Sequence, residues 1–110
     1  MRKAKVYMYD LYAGTLIENE DGYNFTYNDL YLKSSKAEAI SLTLPVSKNT
    51  YKSNVMFAFF DGLIPEGWLL EIAEKNWKLN VRDRMGLLIK CCRDCIGAVS
   101  IIEDLVLENE

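Results

Sequence analysis

The run Phe57-Ala58-Phe59-Phe60-Asp61-Gly62-Leu63-Ile64-Pro65-Glu66-Gly67-Trp68, continuing as Leu69-Leu70-Glu71-Ile72-Ala73-Glu74-Lys75-Asn76-Trp77, sets the organisation of the chain. Aromatics, two glycines and a proline in so short a segment make a poor recipe for plain core and a good one for a shaped surface corner. Pro65 lacks an amide donor and biases Ile64 away from the helix, yet suits a first helical turn, so a helix is expected to begin near it. At about 100° per residue, Trp68, Leu69, Leu70, Ile72, Ala73, Trp77 and Leu79 fill one arc, and Glu71, Glu74, Lys75 and Lys78 the other. Acidic residues gather toward its start and lysines toward its end, as the helix dipole favours. Trp68 lies at the edge of the apolar arc beside Gly67. Periodicity alone leaves two readings open for it: cover for the domain's own sheet, or a face offered to a partner.

Outward from this corner, 110 residues, half of them apolar, suffice for one domain with one core. A net charge of −3 and a pI near 5.0 argue against the basic footprint of an autonomous nucleic-acid binder. The cluster Arg2-Lys3-Ala4-Lys5 is expected to be a solvated terminus. No run of about 18 apolar residues is present, and the N-terminus has no signal-peptide core, so a cytoplasmic chain is expected.

The three cysteines sit together in Cys91-Cys92-Arg93-Asp94-Cys95. With no histidine and no second cysteine pair, a tetrahedral metal site would need carboxylates or another chain to complete it. A redox reading of the C-x-x-C spacing lacks the strand that ordinarily precedes it. Small apolar side chains on a helix is the plain expectation, with no metal and no cofactor.

N-terminal to the corner, Val6–Tyr9 is β-prone, residues 10–14 form a turn, and Thr15–Ile17 closes a hairpin. The Asp21-Gly22 turn leads into Tyr23-Asn24-Phe25-Thr26-Tyr27, completing an antiparallel meander with Tyr23, Phe25 and Tyr27 on the face the helices cover. Asn28-Asp29 turns the chain into Leu30-Tyr31-Leu32, and a polar loop follows. Ala39-Ile40-Ser41-Leu42-Thr43-Leu44 alternates up to Pro45 and reads as a strand near a sheet edge. Ser47–Thr50 and Ser53-Asn54 read as loop. C-terminal to the corner, Asp83 is expected to cap a helix whose buried face holds Met85, Leu87, Leu88, Ile89, Cys91, Cys92 and Cys95, with Gly86, Lys90, Arg93 and Asp94 opposite. A break at Gly97 releases Ala98–Ile102 as a closing strand, and 103–110 is an acidic tail. Strands first, two or three helices next and a last strand make an α+β fold: a small, partly barrel-like antiparallel meander with helices on one side.

Chemistry is scarce. Without histidine, a Ser-His-Asp triad or a His base is excluded. Gly62 and Gly67 fit no phosphate-cradling pattern, and Asp61 and Glu66 are explained as turn and cap residues.

The series Gly14-Thr15-Leu16, Phe25-Thr26-Tyr27, Ile40-Ser41-Leu42-Thr43-Leu44-Pro45, Phe59-Phe60-Asp61-Gly62-Leu63-Ile64-Pro65-Glu66-Gly67 and Asp94-Cys95-Ile96-Gly97-Ala98-Val99 resembles the N-terminal subdomain of HipA-type serine/threonine kinases, toxins of bacterial toxin–antitoxin modules. The resemblance runs from about Val6 to Ile102, with the domain set at residues 1–102 and the tail at 103–110. It implies a subdomain without catalysis, since in that family the kinase core follows it. No counterpart of that core is found in these 110 residues, which resembles the stand-alone HipS-type antitoxin of three-gene HipBST modules. The resemblance implies a HipT-type kinase as direct partner, a HipB-type helix-turn-helix protein in the complex, DNA contact only through that complex, and no membrane or small-molecule substrate. The expected contact residues are Asp61, Leu63, Ile64, Pro65, Glu66, Gly67 and Trp68. Trp68 is expected to enter the nucleotide cleft or to wedge the kinase lobes apart. The competing expectations are a stabilising or activating subunit, and an N-terminal fragment of a full-length toxin.

Overall fold

The computed structural model describes residues 1–64, 75, 82–92 and 98–104, with Cys91 in its backbone only. Three strands form the meander: β1 (Arg2–Met8), β2 (Leu11–Asn19) and β3 (Gly22–Tyr27). Then come a single helical turn α1 (Asp29–Leu32), a short strand β4 (Tyr51–Ser53), a second turn α2 (Ala58–Asp61), helix α3 (Arg84–Cys91) and strand β5 (Val99–Glu103). The sheet order is β4-β3-β2-β1-β5, and every neighbouring pair is antiparallel. The closing strand therefore returns to the free side of β1, and the expected α+β architecture is present.

Alternation assigns the two faces. Ala4, Val6 and Met8 of β1, Leu16 of β2, Phe25 and Tyr27 of β3, and Val99 and Ile101 of β5 are buried together under α2 and α3. Tyr23 packs half-buried at the margin of this face, as its parity with Phe25 requires. Met85, Leu87, Leu88, Ile89 and Cys92 come down from α3 onto it, four of the five fully buried. Asp83 caps α3 as expected, accepting from the Gly86 amide at 3.1 Å.

The first hairpin is tighter than the sequence suggests. Its turn is Tyr9-Asp10 and β2 begins at Leu11, because Tyr9 takes a left-handed φ of 57°. Between the pairs Val6↔Gly14 and Tyr7↔Tyr12, Ala13 is an extra residue, a bulge whose freed carbonyl accepts from Asn28 at 2.7 Å.

Three expectations are corrected. Ala39–Leu44 is not a strand: Ser41 and Leu44 face each other across a tight turn, the Ser41 hydroxyl meets Thr43, and Leu42 points out at 98% exposure. The local Ser/Thr hydrogen bonds give this backbone an alternative to the ladder. The edge beside β3 is taken instead by Tyr51–Ser53, of which the sequence reading assigns Ser53 to loop and leaves Tyr51 and Lys52 unassigned. The basic N-terminal cluster is not a solvated terminus, since Arg2–Lys5 is already β1, Ala4 is fully buried and Arg2 is ion-paired. Gly86, expected on the outer side of α3, is buried beneath Arg2 and the Asp83 carboxylate, where a Cβ would collide with the latter.

Candidate functional site

The corner begins where α2 leaves the core. Phe57 precedes the helix in extended backbone (φ −56°, ψ 137°) with no side-chain cap, and the chain then coils tightly. Asp61 donates its amide to Phe57, Gly62 to Ala58, Leu63 to Phe60 and Ile64 to Asp61, at 2.9–3.2 Å. The last two bonds are of the tighter, three-residue kind found at helix ends. Phe60 anchors the turn: it is fully buried, 5.5 Å from Phe25 on the sheet and edge-on to Phe57 and Phe59 at 6.1 and 5.3 Å. Such aromatic pairs contribute on the order of 1 kcal/mol each beyond the area they bury.

Among the described residues, two bonds tie the corner to α3. The Arg84 guanidinium donates to the Asp61 carboxylate at 2.6 Å, and the Cys92 thiol donates to the Leu63 carbonyl at 3.1 Å. Arg84 and Cys92 lie at opposite ends of α3, about 12 Å apart at 1.5 Å per residue, so the segment is braced along the whole helix. A short apolar thiol at position 92 is what allows that close approach to a carbonyl.

The sequence-predicted contact residues divide accordingly. Asp61 is half-exposed and ion-paired, Leu63 is half-buried against the core, and Ile64 is 2% exposed within it. Ile64 thus lies in the core beneath this turn. Pro65, Glu66, Gly67 and Trp68 lie outside the described residues, as does the amphipathic pattern expected from 68 to 79, apart from Lys75, which is helical and exposed. The Cys91 side chain and Cys95 are also outside them.

A part that sequence reasoning missed is the ion cluster holding α3 to the sheet. Arg2 donates to Glu18 at 2.7 and 3.0 Å and to Asp83 at 2.6 and 3.0 Å. The Arg2 hydrogen bonds hold the Asp83 carboxyl below the usual carboxylate range, against the opposing effect of partial burial and with help from the Gly86 amide. Nothing local signals this link, because Arg2 and Asp83 are 81 residues apart.

Elsewhere, a cleft of about 300 Å³ opens beside Asp21, Tyr23 and Lys52, and another of about 430 Å³ beside Tyr9, Leu11 and Lys36, neither at the corner. Among the described residues, no group of three or more acids and cysteines has metal-holding geometry, and no helix is long and apolar enough to cross a membrane.

Fold and corner together define a small sheet-and-helix module whose turn at residues 57–64 is rooted in aromatics and braced by α3. The chain belongs to the HipA N-terminal domain family, whose profile matches residues 4–102. It is similar to an uncharacterized protein of Haemophilus influenzae, 30% identical over 104 residues that make up 94% of this chain and 94% of that protein. It also superposes on a solved N-terminal domain of HipA toxin with a TM-score of 0.73 and 24% identity, covering 94% of this chain and 93% of that one, a likeness of fold.

Proposed function

We propose that this protein is a HipS-type antitoxin, a non-catalytic subunit that binds and inhibits a HipT-type serine/threonine kinase through the 57–77 corner. The observation that carries the proposal is the family match over residues 4–102 together with the relative in Haemophilus influenzae. The aligned 104 residues are 94% of that relative, which is therefore itself a protein of about 110 residues. A subdomain separated from the kinase it once supported retains a surface complementary to that kinase. In this reading the kinase is the direct partner, and a HipB-type DNA-binding protein joins them in the bacterial cytoplasm.

Among the expected contact residues that are described, Leu63 is the half-exposed apolar one and Asp61 is held by Arg84, with Phe57 and Phe59 half-exposed beside them. Pro65 and Trp68 complete the apolar anchor by sequence, with Glu66 at the rim and Gly67 giving the backbone room. A Trp held at the centre of an interface is a typical hot spot: truncation costs at least about 2 kcal/mol, or roughly thirtyfold in affinity. Inhibition follows whether the ring fills the nucleotide cleft or keeps the lobes from closing, since phosphoryl transfer depends on alignment of the catalytic groups.

The test is a rescue assay with Trp68→Ala at matched expression, with folding checked by circular dichroism. Loss of protection against the kinase is expected. A folded Trp68→Ala protein that protects as well as the wild type would overturn the proposed anchor.

A further inference from the structure

The face of the sheet turned away from α2 and α3 is chemically unlike the rest of the chain. Its strand positions are half-exposed or exposed, and none belongs to the core. Register sets Lys3, Ile17, Asn24 and Lys52 in one row across β1, β2, β3 and β4. Lys5 stands beside Thr15 and Ile102 in the next row, and Tyr7 beside Tyr12 and Ser100 in the third. The chain has 16 acidic against 13 basic residues, yet no Asp or Glu occupies a strand position on this face. Acids stand at its rim: Asp104, just beyond β5, with its amide bonded to the Lys3 carbonyl, and Asp21, in the β2–β3 turn beside the cleft that Lys52 lines.

The rows are internally ordered. The Tyr7 and Tyr12 rings lie 5.7 Å apart at 35°, the Lys5 ammonium sits 5.6 Å from the centre of the Tyr12 ring, and the Tyr12 hydroxyl is held by Thr15 at 2.6 Å. Two mutually tilted tyrosines, one with a lysine over its ring, form a pre-ordered surface that loses little side-chain freedom on docking.

We propose that this face docks an acidic peptide segment of a second protein, on the side of the sheet opposite the corner, so that the chain can hold two partners at once. Charge complementarity identifies the occupant. Lys3 and Lys5 project from one strand about 6.7 Å apart, the spacing of alternate side chains in an extended chain. A segment with carboxylates at every second residue presents them from one side to both lysines and runs on along β1 over the tyrosines. A protein segment is favoured over nucleic acid because three lysines on a chain of net charge −3 match a few carboxylates, whereas a duplex presents a charge about every 1.7 Å.

The experiment is chemical-shift mapping of the full chain with a deca-glutamate peptide, beside a fifteen-nucleotide oligothymidylate. The peptide is expected to shift Lys3, Lys5, Tyr7, Tyr12 and Lys52 and to leave α3 unmoved, with affinity falling as salt rises from about 0.1 to 0.5 M. Lys3→Glu/Lys5→Glu is expected to weaken binding at least about tenfold, and so is Lys52→Glu, whose exposed position spares the fold. Absence of shifts on this face, or tighter binding of the oligonucleotide there, overturns the proposal. Because Trp68→Ala is expected to bind the peptide normally, failure of the kinase reading and failure of this one are distinguishable.

Discussion

Asp83 does two things with one carboxylate: it caps α3 through the Gly86 amide and receives Arg2 from the sheet. Its pKa is depressed in the folded protein, so its stabilising contribution is present above the ordinary carboxylate value near ~3.9 and is lost as pH falls through the depressed one. Asp83→Asn keeps a good cap but removes the charge. Its stability is therefore expected to fall less steeply than that of the wild type below about pH 4, as urea midpoints across pH will show. With Arg2 and Asp83 each more than a third exposed, the energy at neutral pH is small, of order 1 kcal/mol or less. Tyr27 matters more per atom. Its buried hydroxyl donates to the Leu44 carbonyl and accepts from the Ile40 amide at 3.0 Å, so one phenol closes the loop over the core. Tyr27→Phe orphans both groups and is expected to cost about 1–3 kcal/mol by denaturant unfolding, with retention of wild-type stability as the contrary result.

Among the elements, those governed by local pattern were readable and those governed by distant partners were not. Tyr23-Asn24-Phe25-Thr26-Tyr27 alternates, and the strand lies where alternation puts it, Phe25 against Phe60 of α2. Asp83 followed by an apolar helical face gave α3, and the β-prone run from Val99 gave β5, while the break expected at Gly97 lies outside the described residues. Ala39–Leu44 alternates equally well and is not a strand, because Tyr27 and Tyr31 pull it into a loop: Tyr31 donates to the Glu38 carbonyl at 2.7 Å and accepts its amide at 3.1 Å. Only the folded positions of those tyrosines reveal this. Strand β4 has three residues, too few for a pattern, and exists because β3 presents an edge. Of the corner, Phe60 and the Asp61 turn were legible as a shaped segment. That Ile64 would face inward and that α3 would brace the turn from both ends depended on tertiary packing. The β2–β3 pair supplies a test at this scale. A Cβ on Gly14 would stand 2.5 Å from the Thr26 carbonyl and 2.8 Å from the Phe25 ring, so Gly14→Ala is expected to destabilise by about 1–3 kcal/mol, measured by thermal unfolding. An unchanged melting temperature would mean the two strands can part there at no cost.

For the molecule as a whole, the sheet divides two kinds of surface. One side carries the helices and the braced corner, rooted in the aromatic cluster around Phe60. The other carries lysines and tyrosines without a strand carboxylate. Membership of the HipA N-terminal domain family is what motivates the proposed reading of the corner as a kinase-holding surface. The most direct measurement is phosphoryl transfer by the purified HipT-type kinase while this protein is titrated in, with Trp68→Ala in parallel. A saturable fall in activity with the wild type, displaced at least about thirtyfold to higher concentration by Trp68→Ala, is the predicted result. Activity that rises, or stays level while the folded protein fails to bind the kinase, would contradict the account.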